Sequence, residues 1–148
     1  MKLALACDHG GFKLKETVKK HLEEKGYEVV DFGTYNEESC DYPDYESKAA
    51  FAVAKKECEK GIVICGTGIG VSIVANKVHG IRCALVHDVF SAKATRQHND
   101  TNMMAMGARV IGEGLALEIV DAWLNASYEG GRHDLRIEKM MALEKINN

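Results

Sequence analysis

Between Ile62 and Ser72 the chain reads Ile-Val-Ile-Cys-Gly-Thr-Gly-Ile-Gly-Val-Ser, and few folds accept that order. Three β-branched apolar residues run straight into Cys65, the pattern of a strand covered on both faces. Gly66, Gly68 and Gly70 follow at alternate positions, and glycine's freedom at positive φ lets main-chain N–H groups converge on a ligand. Residues 71–77 continue as a helix whose N-terminus faces the same spot and favours an anion. A helix start of this kind also favours the thiolate of a neighbouring cysteine. Cys65 is therefore a candidate base or nucleophile beside an oxyanion or phosphate cradle. The plainer reading is a tight strand-to-helix turn with a small core cysteine.

Familiar glycine loops fit poorly. A Walker A loop needs Gly-x4-Gly-Lys-Ser/Thr, and no lysine follows these glycines before Lys77. A dinucleotide fingerprint needs Gly-x-Gly-x-x-Gly, which Gly70 misses by one residue. A thiol phosphatase would carry an arginine where Val71 stands.

At 148 residues, with 46% apolar and 28% charged residues, the chain suits one domain spanning 1–148 with a full core. A net charge of −3 leaves no basic footprint and argues against nucleic acid as a partner. The apolar run from Leu3 to Cys7 is too short for a secretory segment, and no stretch reaches membrane-spanning length, so a cytoplasmic protein is expected. Cysteines 7, 40, 58, 65 and 83 are odd in number and widely spaced, as free thiols of a reducing compartment are. The six histidines are equally scattered, so no metal site is expected.

Strand signals fall at Lys2–Cys7, Tyr27–Phe32, the run into Cys65, Ile81–Val86 and Asn102–Met106. Between them lie helical patterns. Leu14, Val18 and Leu22 mark a stripe on a helix from about Phe12 to Lys25, stopped at Gly26. Further helices are expected over about Asp44–Glu59 and Phe90–Gln97. Ala116, Ile119, Val120 and Trp123 stripe another over Glu113–Leu124. A long turn-rich loop, residues 33–45, holds the only proline, Pro43, and such loops often border a site. Gly130-Gly131-Arg132 opens a last helix in which Arg132 and Arg136 lie one turn apart, able to grip a phosphate or simply to form a solvated face.

This alternation predicts an α/β fold, a doubly wound, Rossmann-like, mainly parallel five-stranded sheet with helices on both faces. Ligands of such sheets sit beyond the carboxyl ends of the strands, where both Asp8-His9 and Cys65-Gly66 should fall.

Five segments carry a resemblance: Cys-Asp-His-Gly-Gly-Phe (7 to 12), Asp-Tyr-Pro-Asp-Tyr (41 to 45), Gly-Ile-Val-Ile-Cys-Gly-Thr-Gly-Ile-Gly (61 to 70), Arg-Gln-His-Asn-Asp-Thr-Asn (96 to 102) and Tyr-Glu-Gly-Gly-Arg-His (128 to 133). In that order they resemble the RpiB/LacAB family of sugar-phosphate isomerases, the ribose-5-phosphate isomerase B type above all, over essentially the whole chain. The resemblance implies a pentose-phosphate enzyme interconverting ribose 5-phosphate and ribulose 5-phosphate without metal or organic cofactor. Such chemistry needs a base at carbon, donors for an enediolate oxygen, an acid/base to open the sugar ring and a phosphate anchor.

By that resemblance Cys65 is the base, and the backbone of Gly66, Gly68, Ile69 and Gly70 stabilises the enediolate, with the Thr67 and Ser72 hydroxyls close by. His98 opens the ring with Asp8 as helper, Asn99 holds the intermediate and Tyr42 lines the sugar site. His9, Arg109, Arg132 and Arg136 bind phosphate. Some relatives use a glutamate base a few residues after Ser72; Ala75 stands there, which fits the cysteine type. A homodimer, or a homotetramer of paired dimers, is implied, with His98 and Asn99 reaching a neighbour's Cys65. Plainer roles stay open: Asp8 as a helix cap, His98 as a surface histidine, Tyr42 as packing, Arg109 as a solvated charge. Galactose-6-phosphate or allose-6-phosphate isomerase is the near alternative, and a non-catalytic sugar-phosphate-binding module the distant one.

Overall fold

The computed structural model describes residues 1–146. One five-stranded sheet organises them: β1 (Lys2–Cys7), β2 (Glu28–Asp31), β3 (Lys60–Cys65), β4 (Cys83–Leu85) and β5 (Met103–Gly107), in the order β2-β1-β3-β5-β4. Every pairing is parallel, so the expected "mainly parallel" sheet is wholly so. The helices are α1 (Phe12–Glu24), α2 (Pro43–Ala54), α3 (Ile69–Asn76), α4 (Val89–Asn99), α5 (Glu113–Asn125) and α6 (Arg132–Ile146). Strand order reverses between β1 and β3, which puts a crevice beyond Cys7 and Cys65.

Alternation along the strands explains the two layers. Leu3, Leu5, Ile62, Ile64, Met104 and Met106 point to one face, against Val18 and Leu22 of α1 and Ile119 and Trp123 of α5. Ala4, Ala6, Val63, Cys65 and Ala105 point to the other, against Ala49 and Val53 of α2 and Val71 and Ala75 of α3. Alanine facing alanine lets α2 and α3 approach closely, and this small-residue face carries Cys65.

Beyond shifts of one or two residues elsewhere, as at β2 and α4, two elements differ from expectation. α2 stops at Ala54 instead of Glu59, and Lys56 takes a left-handed φ of 65°. Cys58 is thereby drawn into the core at 2% exposure, and Glu59 N–H donates to Lys2 O, aligning the chain to enter the sheet. β4 keeps only three residues of the expected Ile81–Val86 run.

Candidate active site

Cys65 is the last residue of β3 and is 6% exposed. The N–H of Gly68 donates to its sulfur at 3.1 Å, and the Thr67 hydroxyl lies 4.0 Å away. Gly68 has φ of 78°, and a Cβ there would come within 2.5 Å of Leu85, so this turn requires glycine. α3 starts directly afterwards; Ile69 N–H donates to Thr67 Oγ1 at 3.2 Å, and the Ser72 hydroxyl donates to Ile69 O at 2.7 Å.

Asp8 follows β1 at the same rim. Its N–H donates to Ile64 O, and its carboxylate accepts from Gly11 N–H at 3.0 Å, capping the 3-10 turn His9–Gly11. Asp8 thus caps the short turn that leads into α1, whereas α1 itself starts from Gly11 with no side-chain cap. A Cβ on Gly10 would lie 3.3 Å from Asp8 Oδ1 and 3.4 Å from Gly66 N, which measures how closely the two loops meet. The 33–45 loop borders the site as expected: Cys40 N–H donates to His9 Nδ1 at 3.3 Å, and a Cβ on Gly70 would come within 2.7 Å of the Tyr42 ring. Arg109 N–H donates to Gly66 O, and its guanidinium runs past Gly66. Asp8, His9, Tyr42, Arg109 and the 65–72 loop therefore share one rim.

His98, Asn99, Arg132 and Arg136 lie elsewhere in the chain. β5 starts at Met103 opposite Gly61 and ends at Gly107 opposite Cys65, so the strand spans about 13 Å at its usual rise per residue. α4 runs back antiparallel to the strands, so His98 and Asn99 end at the opposite edge, just before β5. Arg82 Nε donates to Asn99 O at 3.0 Å there, and Asn99 lines a cavity of about 430 Å³ with Arg82, Thr95, Met140 and Glu144. The His98 ring stacks on His133 of α6, with centroids 4.7 Å apart and 21° between planes. This stack brings Arg132 alongside, and Arg136 Nη1 donates to Arg132 O at 2.7 Å.

The sequence assigns no role to His133, His87 or Glu46, and it puts Lys15 on the solvated side of α1 with Lys13, Lys19 and Lys20, whereas the structure buries Lys15 completely because Asp31 and Thr34 O receive its ammonium. His133 braces His98. His87 Nε2 accepts from Gly107 N–H at 2.9 Å, beside the Cys65 rim. Lys15 and Glu46 are both fully buried; Lys15 Nζ donates to Asp31 at 2.7 Å and to Thr34 O at 2.6 Å. Burial pushes the Cys7 thiol up to about 12, so the cysteine beside Asp8 stays a neutral thiol.

His98, Glu129 and His133 bring three candidate ligand atoms within 4.8 Å of one another. Stacked imidazoles direct their in-plane lone pairs side by side, however, not toward a common point.

A Ribose/Galactose Isomerase family model matches residues 3–140. The chain belongs to that family. It is 54% identical to ribose-5-phosphate isomerase B of Escherichia coli (strain K12), with 99% of each chain covered. Its fold superposes on Clostridium thermocellum ribose-5-phosphate isomerase B with a TM-score of 0.99 at 51% identity, over 100% of both chains. Ribose-5-phosphate isomerase B from Mycoplasma genitalium, solved with bound ribulose-5-phosphate, matches with a TM-score of 0.93 at 40% identity, over 97% of this chain and 96% of that one. For this family member the five-stranded doubly wound fold is as the sequence implied.

Proposed function

We propose that this chain interconverts ribose 5-phosphate and ribulose 5-phosphate, with Cys65 as the base. The observation that carries the reading is the Gly68 N–H aimed at the Cys65 sulfur at the mouth of α3, the donor a thiolate needs. Cys65 takes the proton from C2 and returns it to C1. N–H groups of residues 66–70 and the Thr67 hydroxyl meet the enediolate oxygen. The reaction draws on no metal or organic cofactor.

The site is completed by a second copy. His98 opens the sugar ring with Asp8 as helper, Asn99 holds the intermediate, and Arg132 and Arg136 grip the phosphate with His9 and Arg109. Since His98 and Asn99 close α4 at the opposite edge and Arg132 and Arg136 lie in the first turns of α6 beside them, one chain alone separates ring opening from proton transfer. The rim of Cys65 also exposes apolar side chains, Ile69, Ile73, Leu85, Phe90 and Val110, of which Phe90 is 79% exposed. Such a patch suits a homodimer interface, and two dimers pairing would give a homotetramer. No helix among the described residues is long and apolar enough to cross a membrane, and five free thiols suit the cytoplasm.

A panel of five- and six-carbon aldose phosphates tests the reading. Ribose 5-phosphate should give the highest kcat/KM; a galactose or allose 6-phosphate preference would move the assignment to the hexose branch. Binding of all with turnover of none would leave a sugar-phosphate-binding module.

A further inference from the structure

Glu46 sits in the small-residue layer between α2 and β1, is 0% exposed, and neither carboxyl oxygen makes a hydrogen bond. β1 alternation continued one residue past Cys7 turns Asp8 to this same face, with Ala4 and Ala6. α2 runs antiparallel to the strands, so its first turn, with Glu46, lies behind the Cys65 rim. α2 packs on β1, β3 and α3. Asp8 faces it from the end of β1, β3 closes with Cys65, α3 has no titratable side chain, Lys15 approaches from α1, and the Cys7 thiol lies on the sheet's other face, where the charge of Glu46 still reaches it. Lys15 and Lys19 both pair with Asp31, and among the described residues no side chain forms an ion pair with Glu46.

We propose that Glu46 is a positioning residue that stands behind Asp8 as a neutral carboxylic acid, keeping Asp8 the one charged carboxylate of this wall. The inference rests on the isomerase reading above. Burial, reinforced by the charge of Asp8, raises the Glu46 carboxyl to about 8; its own backbone N–H lies near enough to ease this without meeting hydrogen-bond geometry, and Lys15 eases it further. Above that pH the proton leaves to solvent and a second, unpaired negative charge appears beside Asp8. Repulsion between the two carboxylates then displaces the Asp8 side chain, and ring opening fails.

Two measurements decide it. In the wild-type protein free of substrate, infrared spectroscopy should show the C=O stretch of a protonated carboxyl at neutral pH, fading as pH rises through about 8 and missing from Glu46→Gln. In the same range wild-type kcat/KM should fall tenfold per pH unit, whereas Glu46→Gln keeps its activity. A missing band in wild type overturns the proposal, as does an alkaline fall that survives in Glu46→Gln. The band is independent of turnover: a normal band in a protein that isomerises no sugar phosphate would sink the isomerase reading and, with it, the positioning role. Should Glu46→Gln fold poorly, the wild-type band alone still decides the charge state.

Discussion

The two edges of the sheet are built by different means. At the carboxyl edge, the candidate groups close or directly follow strands: Asp8 after β1, Cys65 at the close of β3, Arg109 just after β5. Backbone bonds fix them, such as Asp8 N–H to Ile64 O and Arg109 N–H to Gly66 O, at 3.2 and 3.0 Å. At the other edge, His98 ends α4 and Arg132 opens α6, held by a ring stack and by side chains that solvent reaches. One edge is tied by backbone hydrogen bonds; the other is presented outward. On the proposed reading, a second copy joins the two edges.

The largest expected effect tests that division. Cys65→Ala should lower kcat by about a thousandfold or more, the scale of a lost general base, while sugar-phosphate binding persists. His98→Ala should be impaired as well. Mixing the two inactive variants and allowing subunits to exchange should then restore about one quarter of wild-type activity, because half the dimers are mixed and each holds one intact site of two. No recovery in a verified mixture would mean that each chain works alone. Near-normal turnover by Cys65→Ala would remove the base assignment itself.

Next in size is the contact that would join the edges. Ile73 is 54% exposed on the same side of α3 as Ile69, one turn away. Ile73→Asp would set a carboxylate in the apolar patch and should yield monomers with about a hundredfold less activity at micromolar concentration. Sedimentation checks the first result. A variant that stays oligomeric and active would move the interface to another face.

How much of this division was legible follows from what each signal reports. The stripe Leu14, Val18, Leu22 and the run Ile62–Ile64 registered burial, and all six residues are 0–5% exposed. Asp8 and Cys65 could be put on one rim because each closes a strand. The same logic places His98: a helix between parallel strands returns the chain, so its last residues fall at the opposite edge. Glu46 also left a trace, standing at the head of the stripe Ala49, Ala50, Val53 in α2 where an apolar residue belongs. By contrast, the early end of α2 had no local mark. Lys-Lys-Glu-Cys-Glu at 55–59 favours continuing a helix, and the pull of Cys58 into the core and Glu59 onto β1 overrides it. Likewise, no spacing rule links His98 to His133, because their meeting depends on α6 folding back over α4.

A smaller effect should come from the outward edge alone. Arg136 spends one donor on the Arg132 carbonyl, which leaves the rest of its guanidinium for a phosphate. Arg136→Ala should raise KM for ribose 5-phosphate about tenfold to a hundredfold, the worth of a charge-assisted hydrogen bond, with kcat little changed. Unchanged KM and kcat would return Arg136 to a solvated face. Equal losses in kcat would instead tie it to the transition state.

The smallest effect expected is none, and it bears on a cluster at the outward edge that invites another chemistry. His98, Glu129 and His133 lie close enough for an ion to bridge them after a ring turns. If ring opening depended on such an ion, the outward edge would supply a Lewis acid and the histidine stack would have to break. If His98 acts as a proton carrier, the stack instead holds its ring in place and an ion would block it. Prolonged treatment with a strong chelator should therefore leave kcat/KM unchanged, and added zinc should inhibit. Loss on chelation with recovery on adding a divalent ion would reverse the assignment, making His98 a ligand and leaving Asp8 as the ring-opening group.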